Sequence, residues 1–260
     1  MSLLFWITLF SLLGGLLSVL AASVYLLLSD PKRARLLPHL VSLATGALLG
    51  AAFIGLLPHA LEEAGDGHDH AITLCVLGGI ILFFLLEKMV IWRHCHDDHC
   101  EEHAHAPRVN PKLAAGTLIL LGDSIHNFVD GVLIAAAFLA DFKLGVMTSL
   151  ATAAHEIHQE VGDFAILLDS GYTRRKALFY NLLSSLTTVA GALLAWVGLS
   201  SLTPALPYIL AITAASFIYV AVADLIPGLH QRTATGESIR QVMLITLGIG
   251  LVYGLNTLLH

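Results

Sequence analysis

Eight long apolar stretches separated by short polar segments run along the chain, at about 3–28, 36–61, 71–92, 113–139, 144–168, 177–199, 205–229 and 239–259. A helix needs roughly 20 mostly apolar residues to cross the hydrocarbon core of a bilayer. Backbone amides in lipid must find partners within their own segment, so each stretch predicts a transmembrane helix. The first, Leu3 to Leu28, is too long for a signal-peptide core and has no basic residue before it, which predicts a retained span. The expected fold class is an all-α membrane protein of eight transmembrane helices, with residues 1–260 forming a single transmembrane domain.

Composition agrees with the pattern. The chain is 57% hydrophobic and 12% charged, with a mean hydropathy of +0.80, whereas a soluble domain carries about 25% charged residues. The net charge of -6 argues against a nucleic-acid partner. Cys75 lies in an apolar run, and Cys95 and Cys100 lie in a histidine-rich loop, which is no disulfide framework. Basic residues mark the odd-numbered loops: Lys32, Arg33 and Arg35; Lys88, Arg93, Arg108 and Lys112; Arg174, Arg175 and Lys176; Arg232 and Arg240. Only Lys143 falls in an even-numbered loop. Odd loops are therefore expected in the cytoplasm and both termini outside.

A short internal repeat adds to this order. Span two ends Leu56-Leu57-Pro58-His59-Ala60-Leu61 and span seven ends Leu225-Ile226-Pro227-Gly228-Leu229-His230. Each is the middle helix of a three-helix block, and the two run in opposite directions through the membrane. That is the pattern of an inverted repeat around a central site.

Between the two blocks, spans four and five carry charges that lipid disfavours. Asp123, His126, Asn127 and Asp130 stand at i, i+3, i+4 and i+7, which puts them on one helical face. In span five, His155 and Gln159 form one i, i+4 pair, Glu156 and Glu160 a second, and Asp163 continues the polar surface. The short loop 139–144 makes the two helices antiparallel neighbours with His126 and Glu156 near mid-membrane. Ionisable side chains at that depth line a cavity or an ion path. Nitrogen from His126 and His155, with oxygen from Asn127, Asp130, Glu156, Gln159 and Glu160, suits Zn²⁺ and admits Fe²⁺, Mn²⁺ or Cd²⁺. The donors exceed the needs of one tetrahedral ion, so the spacing fits two adjacent ions or one ion moving between subsites.

These residues resemble the ZIP (Zrt/Irt-like) family of divalent-metal transporters. The fourth-span pattern of that family, His-Asn-x-x-(Asp/Glu)-Gly, matches His126, Asn127, Asp130 and Gly131. A fifth-span pattern of one branch, His-Glu-x-Pro-(His/Gln)-Glu-x-Gly-Asp, matches His155, Glu156, Gln159, Glu160, Gly162 and Asp163. The resemblance implies a 3+2+3 bundle, a transport site that can be binuclear, net movement of metal into the cytoplasm and a homodimer. The chain departs from the pattern at one place, with His158 where the family has proline. Without a proline, span five is expected to be straighter at the site. His158, one turn from His155, is a candidate further ligand.

The expected function is transport of a divalent metal, most simply Zn²⁺, as cargo and with no resident cofactor. The alternative is an intramembrane zinc metallohydrolase, which needs His-Glu-x-x-His on a helix. Here the residue four after His155 is Gln159, and His158 stands one position short. The segment 93–112 is expected to be a His/Cys-rich cytoplasmic loop that contacts metal. The acidic segment 62–70 is a candidate cation-concentrating mouth. His59 and Asp224 are candidates to line the path, and Asn181, Ser184 and Ser185 to brace it. Gly46, Gly50, Gly191 and Ala195 are expected at helix contacts. The compact chain predicts a plasma membrane of bacterial type.

Overall fold

The computed structural model describes residues 2–65, 67–95, 111–200, 202–231 and 235–258. Among them there is no strand, and every one of the eight predicted stretches is helical. In chain order, α1 spans Leu3–Leu26, α2 Asp30–Gly50, α3 Leu57–Ala64, α4 Asp69–Cys95 and α5 Pro111–Ala140. They are followed by α6 Phe142–Asp169, α7 Arg174–Leu199, α8 Leu206–Tyr219, α9 Ile226–His230 and α10 Thr235–Leu258. The His/Cys-rich loop expected over 93–112 falls outside the described residues, apart from the helix ends that flank it.

Among the described residues, seven helical stretches are long and apolar enough to cross a membrane, with α2–α3 and α8–α9 each counting as one. The helix left out is α6. It is 28 residues long but carries Lys143, Glu156, Glu160, Asp163 and Asp169. The helices α2–α3 and α8–α9 are central, with 61% and 56% of their most apolar windows buried, against 11% for α4 and α10. The peripheral helices instead expose Leu74, Leu77, Ile81 and Leu85, or Val242, Met243, Leu247 and Leu251. A continuous apolar surface of that size has lipid as its natural solvent.

Two helices are interrupted in the same way. Ala51–Leu56 forms a π turn between α2 and α3, and Val220–Leu225 forms one between α8 and α9. In each, the amide closing the turn reaches five residues back, Leu57 to Ala52 and Ile226 to Ala221. A proline follows at once, Pro58 or Pro227. Proline has no N–H for the usual bond and its ring crowds the carbonyl four residues back, and a wider turn relieves both. The short sequence repeat is thus matched by the same backbone irregularity at the same register.

Small residues let the helices approach closely. A Cβ at Gly131 would collide with the Thr188 carbonyl of α7, and one at Gly191 with the Phe128 carbonyl of α5. Gly46 meets the Ile245 carbonyl of α10, Gly248 meets the Leu43 carbonyl of α2, and Gly50 lies against Val252. Gly46, Gly50 and Gly191 therefore stand at helix contacts, as the sequence predicts.

The pair α5–α6 is a tight hairpin whose only non-helical residue is Asp141. Its extended backbone caps α6, and its carboxylate accepts from the Lys143 amide at 2.8 Å and the Leu144 amide at 3.3 Å. Gly145 leaves room for the Phe138 ring, which a Cβ would strike. Trp6 of α1 meets Phe142 edge to face, 5.6 Å between centroids, so the start of α1 lies at the hairpin end.

Candidate metal centre

His126 lies about as far before Asp141 as His155 lies after it. At 1.5 Å per residue both are roughly 21 Å from the turn, so the hairpin brings them to one level. Their Nε2 atoms are 3.3 Å apart. Asp130 Oδ2 is 3.3 Å from His155 Nε2 and 3.7 Å from His126 Nε2, and Glu156 Oε1 is 3.9 Å from His126 Nε2. One donor atom from each of His126, Asp130, His155 and Glu156 fits within a 4.8 Å span. Asp130, His155 and Glu156 are buried, and His126 is partly exposed.

Hydrogen bonding leaves these donors free for a cation. His155 Nδ1 lies 3.3 Å from the Ala151 carbonyl, one turn back on α6. With its proton on that nitrogen, the ring presents the Nε2 lone pair to Asp130 and His126. Asp130 Oδ2 and both Glu156 oxygens have no hydrogen-bond partner although they are buried. Buried polar atoms are rarely left in that state. Acceptors that face acceptors at such distances become favourable when a positive ion sits between them. Phe217 of α8 closes the other side, with its ring edge-on to His155 at 6.4 Å. Toward the hairpin end, Ala137, Leu144, Met147 and Ala151 are buried, and so are the Thr148 and Thr152 hydroxyls, which have no hydrogen-bond partner among the described residues.

The remaining predicted donors take other positions. Asn127 donates through Nδ2 to Asp123 Oδ1 at 2.9 Å and accepts at Oδ1 from Thr188 Oγ1, also at 2.9 Å. Gln159 Nε2 donates to the same Asp123 oxygen at 3.3 Å. Both amides are thus turned to Asp123, one helical turn from the four-donor group. Glu160 is buried with neither oxygen partnered, and Asp163 lies beside Asp123. His158 Nδ1 is buried without a partner, and α6 passes through this position as unbroken α-helix.

Of the bracing residues expected in span six, Ser184 and Ser185 donate to carbonyls of their own helix, Ser184 also lies against the Asp123 carboxyl, and the buried Asn181 amide lies against that of Glu160. The brace on Asn127 is Thr188, one turn further along α7. Sequence reasoning missed it, and it missed Phe217, because neither carries a signal of which neighbour it meets. His59 points to Glu63, 3.9 Å away. Asp224 sits in the second π turn.

Comparison with known proteins bears on the family. A family model described as ZIP Zinc transporter matches residues 1–113 and 93–256. The Zinc transporter ZIP13 homolog of Drosophila melanogaster is 32% identical, across 86% of this chain and 78% of that protein. Zinc transporter ZIP13 of Danio rerio is 33% identical, across 83% and 75%. Zinc transporter SLC39A7 of Rattus norvegicus is 29% identical, across 92% and 70%. A helical membrane chain in which two imidazoles and two buried carboxylates meet across a hairpin, matched over nearly its whole length in this way, belongs to the ZIP zinc transporter family.

Proposed function

We propose that this chain carries a divalent cation across the membrane into the cytoplasm, with Zn²⁺ the preferred cargo and Fe²⁺, Mn²⁺ and Cd²⁺ as competitors. The cargo passes through a site on α5 and α6 formed by His126, Asp130, His155 and Glu156, with Asn127, Gln159 and Glu160 joining as the ion moves along the polar face. The observation that carries the reading is the convergence of two imidazoles and two carboxylates within 4.8 Å, with carboxylate oxygens that have no other partner. A hydrated ion sheds water as these groups replace it. More donors than one tetrahedral ion needs allow it to be handed on instead of trapped.

In this reading the eight helices span the membrane as a 3+2+3 inverted repeat with both termini outside, and residues 1–260 form one transporter domain. The matching π turns of α2–α3 and α8–α9 support the repeat, and the clustering of basic residues supports the orientation. The membrane is the plasma membrane, and the working unit is a homodimer.

Radioactive zinc uptake into proteoliposomes tests the proposal, with the other metals as competitors. Asp130→Ala and His155→Ala should each reduce uptake to that of empty vesicles while the protein still inserts. Near-normal uptake by both variants would end the site assignment. Peptide cleavage by the purified chain without metal flux would turn the reading to a hydrolase.

A further inference from the structure

Far from the metal centre, a cavity of about 110 Å³ opens between α2 and α10, lined by Arg35, Pro38, His39, Glu237, Arg240 and Gln241. Both helices begin at this end, and Arg35 and Arg240 each stand in the second turn. The N-terminal ends of two helices add positive potential to that of the side chains. Two guanidiniums and an imidazole face a single carboxylate, Glu237. Neither arginine makes an ion pair with a described residue. Gln241 is committed elsewhere, donating to the Leu229 carbonyl at 3.2 Å, which ties this wall to the end of α9. Beside the cavity, Ile239, Val242 and Met243 are 57%, 63% and 65% exposed, and Leu36 is exposed as well. The basic cavity therefore opens directly onto an apolar, lipid-facing surface.

We propose that this cavity binds a phosphate group, and that the group is the headgroup of an anionic phospholipid in the leaflet at the basic end of the molecule. Planar guanidiniums pair with phosphate oxygens through two parallel hydrogen bonds. The acyl chains then lie along the exposed face of α10, which a free phosphate ion would leave uncovered. The distribution of lysine and arginine assigns this end to the cytoplasmic leaflet, where anionic lipids concentrate. The site lies on α2 and α10, so it stands or falls independently of the ligand set on α5 and α6.

The test is native mass spectrometry of the full chain purified from an equal mixture of phosphatidylglycerol and phosphatidylcholine, then delipidated in steps. Phosphatidylglycerol should be the lipid retained longest. Arg35→Gln and Arg240→Gln should each lower its retention about fivefold, while Lys32→Gln, which removes the same charge outside the cavity, leaves it unchanged. Equal retention of the two lipids, or an equal loss with Lys32→Gln, would overturn the site in favour of diffuse surface attraction. A second arm holds the protein in phosphatidylcholine nanodiscs and adds inorganic phosphate. Thermal protection matching that given by phosphatidylglycerol would overturn the lipid assignment, and no protection supports it.

Discussion

In α2–α3 and in α8–α9 the backbone leaves α geometry just before Pro58 and Pro227, whereas α6 passes His158 as unbroken helix. The two regions place their polar burden on different atoms. In the π turns the buried side chains are apolar, Ala51, Ala52, Leu56, Ala221 and Leu225, and the irregularity is confined to main-chain bonding. In α6 the main-chain ladder is intact, and the uncompensated atoms are the carboxylate oxygens of Glu156 and Glu160. The α6 donors sit on an uninterrupted α-helix, whereas the π turns bury only apolar side chains and carry one exposed acid, Asp224. The α6 half of the donor set therefore rests on a regular helix, registered against α5 by the Asp141 cap and the Gly145–Phe138 contact.

Four changes test that contrast. The largest effect is expected from Gly131→Leu, because even a Cβ would strike the Thr188 carbonyl and main chain cannot yield as a side chain can. Overpacking usually costs about 1–3 kcal/mol, and here the helices themselves must part, so size-exclusion chromatography should show loss of the monodisperse species. His158→Pro would bring into α6 the device used in the other two helices. It removes the bond to the Ala154 carbonyl and should lower the thermal midpoint by an amount equivalent to about 3 kcal/mol. An unchanged midpoint would mean that α6 accommodates the bend freely.

Acidification comes next. Imidazole and carboxylate bind metal only after losing their protons, so added protons compete with the cation. The zinc concentration for half-maximal uptake should therefore rise several-fold as the outside moves from neutral to mildly acidic. A flat profile would separate the donors from the transport step. The smallest effect is expected from Thr188→Val, which leaves the buried Asn127 Oδ1 without its donor. It should cost about 1–3 kcal/mol in stability and leave uptake close to that of the unsubstituted protein.

Much of this arrangement is legible in the chain before any coordinates. Hydropathy marks seven of the stretches as long and apolar enough to span a membrane, and the shared face of Asp123, His126, Asn127 and Asp130 follows from their spacing. The uninterrupted α-helical course of α6 accords with the absence of proline at position 158. Gly46, Gly50 and Gly191 could be placed at contacts because only small residues allow close approach of helices in lipid. The direction in which Asn127 and Gln159 turn was not legible. Helical spacing puts both on the inner face, but the choice between a cation and Asp123 as partner depends on rotamers and on Thr188 from another helix. The π turns were half legible: Pro58 and Pro227 announce a disturbance, but its form depends on packing within the central helices.

The mutual seating of Gly131 on Thr188 and Gly191 on Phe128 has a mechanical consequence. Main chain is seated against main chain in both directions, so α5 and α7 leave no room between them for a side chain at these two levels. Gly46 and Gly248 seat α2 against α10 in the same manner. A rearrangement that parted either couple would first have to give up this backbone-to-backbone seating, so each couple is expected to travel as one body.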